Sequence, residues 1–123
     1  MGAILPFDIP CFAIAHKKCD DTIEMSRSLV ASDFGNIGRC VLLFQSRKTV
    51  EDAARALGHD IIVEVENVPF LLLILDAEKG YGGTHVAVDL VRTKDGQTAC
   101  HFHAIDSMLA AFRTAGAMDD EPA

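Results

Sequence analysis

His85 and Asp106 are the two side chains whose types and spacing best fit a chemical role. Between them lies the dipeptide Asp95-Gly96, which favours a two-residue type I′ turn because both central positions of such a turn need a positive φ. A hairpin closed by that turn places His85 opposite Asp106, with their Cβ atoms about 5 Å apart on one face. A carboxylate that orients an imidazole is part of a nucleophilic triad. A turn of three or four residues would instead place Ala104 or Ile105 opposite His85.

The third member of a triad, the nucleophile, has no clear candidate in the sequence. Cys100 shares the predicted face of His85, but it lies six residues before Asp106. An extended strand of that length spans about 20 Å, which is far beyond hydrogen-bond reach. The other three cysteines precede the histidine, and no pattern predicts a contact with it. The sequence also has no G-x-S-x-G elbow and no P-loop. The pattern therefore predicts a histidine–carboxylate pair without its nucleophile.

His101 and His103 form an H-x-H pair, a spacing that could suggest metal binding. Both face the same side of the predicted strand, whereas His85 and Asp106 face the other side. A metal site needs three or four convergent ligands. We therefore predict no metal site and interpret the pair as two histidines that face solvent.

Composition favours a single ordered domain. Half of the 123 residues are hydrophobic and 24% are charged, which is typical of a chain that buries a real core. The net charge of -7 argues against a nucleic-acid partner or an anionic membrane surface. The longest apolar run, at 68–75, is too short to span a bilayer. The four cysteines show no C-x-x-C spacing, so we interpret them as mostly buried free thiols of a reducing compartment, with disulfides or zinc as alternatives.

The segments before and after the hairpin are expected to form alternating strands and helices. Short apolar runs predict buried strands at 11–15, 40–44 and 70–75, and the segment 61–65, which alternates in its second half, predicts a strand or an extended lead-in. Helical spacing predicts helices at 22–30, 46–58 and 107–115, the second capped by Thr49 and ended by Gly58. The run 70–75 is apolar on both faces, which favours a central strand, and the glycine-containing segments 32–38 and 76–83 predict loops. These patterns predict one α/β (α+β) domain with a mixed sheet that ends in an antiparallel hairpin. It has an arm at 1–10, a core at 11–115 and an acidic, frayed end at 116–123.

The segments 80–89, 94–98 and 105–108 together resemble the catalytic histidine region of the YopJ family. These proteins are bacterial effectors with a cysteine-protease-like fold that act as Ser/Thr/Lys acetyltransferases. The shared pattern consists of glycines, a histidine that opens a strand, a turn with an acidic residue and glycine, and an acidic residue that closes the return strand. The resemblance covers about residues 60–115. It implies that His85 is a general base, that Asp106 is its acidic partner, and that the chain corresponds to half of such an acetyltransferase domain.

The same resemblance implies a truncated or degenerate relative of these enzymes. The family's nucleophilic cysteine follows the acidic residue, whereas no cysteine follows Cys100 here. Complete relatives pass an acetyl group from acetyl-CoA through that cysteine to a target protein, and this chain alone is not expected to turn over. Acetyl-CoA and inositol hexakisphosphate are the implied cofactors, with neither expected to bind this chain alone. The implied setting is type III secretion into a host cell, where a virulence effector acts on a host signalling protein. The alternative is a small, soluble, non-catalytic protein-interaction domain of the cytoplasm.

Overall fold

The computed structural model describes residues 7, 9–92, 95 and 97–114. Within them, a mixed sheet of six strands and four helices form a single small α/β domain, which confirms the predicted fold class. The strands are β1 (Cys11–Ala15), β2 (Ala31–Asp33), β3 (Arg39–Phe44), β4 (Ile61–Val65), β5 (His85–Arg92) and β6 (Thr98–Ala104). The helices are α1 (Thr22–Ser26), α2 (Arg47–Leu57), α3 (Val68–Gly80) and α4 (Ile105–Thr114).

The strand order of the sheet is β4-β1-β3-β5-β6, and β2 pairs with the first half of β3. Among the described strands only β3 and β5 run parallel, with Cys40 beside His85 and Leu43 beside Val88. The other pairs are antiparallel. The two strands at the ends of this order are β4 and β6. One edge of the sheet is therefore formed by β4, and the hairpin forms the other.

The sheet separates two apolar cores because successive strand residues point to opposite faces. One core lies beneath α3 and α4 and includes Leu71, Ile74 and Phe112. The other core lies beneath α2 and includes Val50 and Ala54. Each fully buried Leu, Ile or Phe in these cores contributes about 1.5–3 kcal/mol. The two-sided burial explains why β1 and β3 read as continuous apolar runs.

The segment 68–75 is helical, so the predicted central strand at 70–75 is wrong. An apolar run without a period does not distinguish a buried strand from a buried helix, and the helix-starting signals precede it. Asn67 Oδ1 accepts the Phe70 N–H at 2.9 Å, and Pro69 lies in the first turn, where no N–H is needed. The helix continues to Gly80, so the predicted loop at 76–83 is wrong over its first half.

The remaining elements follow the sequence pattern with shifted boundaries. The strands at 11–15 and 61–65 are confirmed, and the strand at 40–44 begins one residue earlier. Helix α2 confirms the prediction at 46–58 and ends at Gly58, whose φ is 80°, but Ser46 caps it instead of Thr49: Ser46 Oγ accepts the Thr49 N–H at 3.1 Å. The first helix ends at Ser26, and the predicted loop at 32–38 contributes residues to β2. The closing helix begins at Ile105, two residues before its predicted start. Most of the predicted arm and the acidic end at 116–123 lie outside the described residues.

Candidate functional site

His85 opens β5 and pairs with Ala104, so the predicted opposition of His85 and Asp106 is wrong. Two irregularities together produce this shift of two residues. Arg92 pairs with Thr98, which leaves five residues between the strands where a two-residue turn was predicted. A β-bulge on β5 between Val88 and Val91 then adds one residue more. Part of the predicted Asp95-Gly96 turn lies outside the described residues.

Asp89 lies within that bulge and has a φ of 59°. Its carboxylate accepts hydrogen bonds from Gln45 N at 2.9 Å and from Gln45 Nε2 at 2.6 Å. These bonds join β5 to the residue that precedes the N-cap of α2. They hold a non-glycine residue in the left-handed region, which costs on the order of 1 kcal/mol or more. The bulge is therefore a defined feature of the sheet, and it contributes one of the two residues by which the register of the hairpin is shifted.

The imidazole of His85 is half-buried and contacts a hydroxyl group instead of a carboxylate. Its Nδ1 lies 2.9 Å from Thr84 Oγ1, and that hydroxyl donates to the Ile37 carbonyl oxygen at 2.9 Å. The single hydroxyl proton of Thr84 is used in the second bond, so His85 Nδ1 must donate in the first. In a neutral imidazole this leaves Nε2 as the acceptor.

Asp106 lies in the first turn of α4, where the positive end of the helix dipole stabilises a carboxylate. Its Oδ1 lies 2.8 Å from Lys79 Nζ near the end of α3. The backbone N–H of the preceding residue, Ile105, donates to the Thr84 carbonyl oxygen at 2.9 Å. The chain thus leaves β6 at Ala104 and enters α4 at Ile105, whereas the predicted pair of His85 and Asp106 required the strand to continue to Asp106.

Cys40 lies directly beside His85 on the neighbouring parallel strand, about 4.8 Å away between Cα atoms. Sequence reasoning missed this proximity because pairing between distant strands depends on the whole topology. The thiol is fully buried, and Sγ donates to the Gly38 carbonyl oxygen at 3.5 Å. Burial raises the pKa of Cys40 to about 11, and the nearby charges of Cys100, Asp33 and Glu78 add to the rise. A nucleophilic cysteine must be a thiolate, so these features favour a structural thiol.

The other cysteines are free as well. Burial raises the pKa of Cys11 to about 12, with a further contribution from the charge of Asp89, and burial also raises the pKa of Cys100. Cys11 and Cys40 are buried, whereas Cys19 and Cys100 are half-buried. The prediction of free thiols is confirmed for all four, and burial is complete for two of them.

Glu78 on α3 is a fully buried carboxylate that sequence reasoning did not single out. Arg39 Nε lies 2.9 Å from its Oε1, and Nη2 lies 3.4 Å from its Oε2. The same guanidinium lies 5.1 Å from the centre of the Tyr81 ring. Glu78 shares the buried face of α3 with Leu71, Ile74 and Leu75, but the apolar run carries no period from which the sequence could assign that face. The ion pair joins the start of β3 to the end of α3.

Gly83 is required by the close approach of the chain to that helix end. Its N–H donates to the Glu78 carbonyl oxygen at 2.7 Å, and a Cβ at this position would lie 2.9 Å from the same oxygen. The glycine therefore has a packing reason to be present. Gly83, the glycine nearest to His85, thus has a structural explanation in this fold.

His101 and His103 lie on the same side of β6, opposite Val88 and Val86. His101 is exposed, whereas the ring of His103 packs 6.1 Å from that of Phe7. Burial lowers the pKa of His103, and the charge of His101 lowers it further. Across the described residues, no cluster of three or more His, Cys, Asp or Glu side chains could hold a metal ion.

In the same part of the chain, no helix combines the length and the apolar character needed to cross a membrane.

A second candidate site is a groove between α1, β4 and the first turns of α3. Its volume is about 390 Å³, and we call it the acidic groove. Its apolar lining is Met25, Val63, Pro69, Phe70 and Leu73. Its acidic lining is Asp20, Asp21, Glu64 and Glu66. Leu73 is 36% exposed there, which is unusual for a leucine on a helix as apolar as α3.

The carboxylates of the acidic groove are only partly neutralised. Asp21 accepts the Ile23 N–H at 3.0 Å and so caps α1. Glu64 Oε1 lies 3.6 Å from Arg47 Nη2, and both of these side chains are substantially exposed. Such an exposed pair contributes less than about 1 kcal/mol. Within the described residues, Asp20 and Glu66 form no ion pair, so this surface is negatively charged beside exposed apolar carbon.

A second cavity, of about 440 Å³, lies between α2 and the β5–β6 hairpin. Leu57, Leu90 and Val91 provide most of its apolar lining. Its two charged residues, Lys48 and Asp52, are already paired with each other at 3.1 Å. It has no charge pattern that selects an occupant.

No family model, no curated protein and no solved structure matches this chain.

Proposed function

We propose that this chain is a small non-catalytic protein-interaction domain that binds a basic, partly apolar segment of a partner protein in the acidic groove. The observation that carries the proposal is the exposure of Leu73, beside Phe70 and Met25, within a rim of four carboxylates. Exposed apolar surface framed by charge is typical of protein-binding sites. The net charge of -7 would also speed the approach of a cationic partner.

The contacts of the candidate catalytic residues, His85, Asp106 and Cys40, favour this proposal over acyl transfer. His85 donates to Thr84, Asp106 pairs with Lys79, and burial raises the pKa of the Cys40 thiol to about 11, which disfavours the thiolate. None of these arrangements activates a nucleophile. Acetyl transfer by a longer relative stays a prediction of the family resemblance, and the contacts seen at His85 add nothing to it.

The test uses a labelled, acetylated octapeptide of alternating lysine and valine, with its binding followed by fluorescence anisotropy. We expect Glu66→Lys to weaken binding about tenfold, because one attraction is lost and one repulsion is gained, each worth less than about 1 kcal/mol at an exposed site. The matched control is Glu51→Lys, an exposed position on α2 outside the acidic groove, which changes net charge equally. Equal weakening in both variants, or no binding by the unaltered protein, would refute the proposal.

The apolar half of the site has its own matched pair within the same experiment. Leu73→Ser removes the exposed leucine of the acidic groove, and Leu57→Ser removes an exposed leucine on α2. We expect only the first change to weaken peptide binding, by about fivefold, since a partly exposed leucine buries a fraction of its 1.5–3 kcal/mol. An octapeptide of alternating glutamate and valine should not bind either variant or the unaltered protein.

A further inference from the structure

We infer that the partner segment binds as an extended strand added to the free edge of β4, an inference that rests on the proposed function. β4 is an edge strand, at one end of the strand order, and it pairs with β1 over all five of its residues. Within the described residues, no other backbone hydrogen bond reaches it. An edge strand presents a row of N–H and C=O groups that can pair with another chain.

The acidic groove runs along this edge, as two adjacent residues of β4 show. Val63 points into the core beneath α3, whereas Glu64 points to the opposite face and pairs with Arg47 of α2. Both nevertheless line the acidic groove. Successive strand residues face opposite sides, so we place a cavity that borders both residues along the outer edge of the strand, the side of β4 that has no partner strand among the described residues. Glu66 and Asn67 extend the groove beyond the end of β4.

The two sides of that edge demand different side chains from an added strand. On the α3 side, an incoming side chain would meet Met25, Phe70 and Leu73, which favour an apolar residue. On the α2 side, it would lie across from Glu64, which favours lysine or arginine at the opposed position. Alternate residues of one strand satisfy both demands. The partner segment therefore alternates apolar and basic residues over about five positions, the length of β4.

The other edge of the sheet does not offer the same combination. At β6 the ring of Phe7 packs against His103, so part of the described N-terminal segment lies there. β6 itself, Thr98–Ala104, carries no Asp or Glu. Charge complementarity therefore selects the β4 edge for a basic segment.

The test compares the lysine–valine octapeptide with two N-methylated forms, one methylated on every lysine nitrogen of the backbone and one on every valine nitrogen. Successive N–H groups of a strand point to opposite edges, so only one of the two forms blocks the edge that pairs with β4. We expect that form to bind at least tenfold more weakly and the other to bind like the parent peptide, because several backbone hydrogen bonds are lost together. Charge and side chains are the same in all three peptides.

The outcomes separate this inference from the proposed function. If all three peptides bind equally and Glu66→Lys still weakens them more than Glu51→Lys does, the acidic groove binds its partner without strand pairing, and the inference is overturned alone. If the unmethylated peptide does not bind, the proposed function fails with it. Hydrogen exchange gives a second readout, in which the parent peptide should protect backbone amides within 61–65. Unchanged exchange there at saturating peptide would also overturn the strand-addition mode.

Discussion

The corner around His85 and the acidic groove contain similar polar side chains, but those side chains are paired in different ways. In the corner, the Glu78 carboxylate, the His85 imidazole and the Asp106 carboxylate each have a partner within the chain. In the acidic groove, Asp20 and Glu66 have no ion pair among the described residues and adjoin exposed apolar carbon. Polar groups that are satisfied internally hold the fold together, whereas charges that remain open beside apolar surface can gain free energy from a ligand. Substitutions in the corner should therefore change stability, and substitutions in the groove should change binding.

The largest effect is expected from Arg39→Ala, which leaves the fully buried Glu78 carboxylate without its guanidinium partner. Because the Arg39 side chain is 40% exposed, water can partly replace it, and the loss of unfolding free energy should be about 2–3 kcal/mol, less than for a fully buried pair. Urea unfolding would measure it. The control is Arg55→Ala, which removes an arginine from an exposed pair with Asp52 and should cost less than about 1 kcal/mol. Similar losses of unfolding free energy in the two variants would contradict the view that the ion pair in the corner around His85 stabilises the fold more than an exposed ion pair does.

A smaller effect, of about 1.4 kcal/mol per pH unit for each thiol, is expected in alkaline solution. An ordinary thiol has a pKa near 9, and burial raises those of Cys40 and Cys11 to about 11 and about 12 in the folded protein. The folded state keeps these protons when the unfolded state loses them. Their contribution to stability is therefore complete below about pH 9 and is lost as the pH rises toward 11–12.

Urea unfolding at pH 8, 9 and 10 would measure this loss. Cys40→Ala provides the control, since it should flatten the decline of stability above pH 9. Alanine also leaves a small cavity, so the slope with pH is the informative quantity and not the absolute stability. A decline of equal slope in both proteins would show that the Cys40 thiol is not protected from ionisation, and it would revive a nucleophilic role beside His85.

The smallest effect concerns the predicted dyad itself. In a double-mutant cycle of His85→Ala and Asp106→Asn, we expect the two changes in unfolding free energy to add within about 0.5 kcal/mol, because each residue has a different partner. The matched cycle of Lys79→Ala and Asp106→Asn should show the coupling, worth up to about 1 kcal/mol for an exposed pair. Coupling between His85 and Asp106 with none between Lys79 and Asp106 would contradict the observed register and restore the dyad.

Local signals in the sequence predicted some elements well for physical reasons. Helix α2 has a regular apolar stripe between a capping serine and a left-handed glycine, and both signals act within a few residues of the chain. The strands at 11–15 and 61–65 are likewise short apolar runs between polar segments. The prediction for the segment of helix α3 was wrong because its apolar residues surround the helix almost evenly. Their spacing therefore did not distinguish a helix from a strand. The cap residue Asn67 was the better signal.

The candidate site was harder to predict than the fold. The acidic groove draws residues from three separate segments, at 19–25, 63–67 and 69–73, and none of these is distinctive by itself. The adjacency of Cys40 and His85 likewise requires the parallel pairing of two strands that are separated by two helices and another strand. Such proximity follows from how elements pack, which a single sequence does not encode in any local pattern.

The sequence by itself determined the fold class, helix α2 and most of the strands, because capping, periodicity and apolar runs act over short distances. Tertiary structure alone decided the partner of His85. One bulge at Asp89 and a turn longer than two residues moved Asp106 out of the hairpin and into α4, beside Lys79. Because the side chains of a strand alternate and register is collective, a shift of two residues kept His85 on its predicted face and replaced its carboxylate partner with Ala104. Among the described residues, the same packing leaves the outer side of β4 without a partner strand beside Asp20 and Glu66, which is where we propose the binding site.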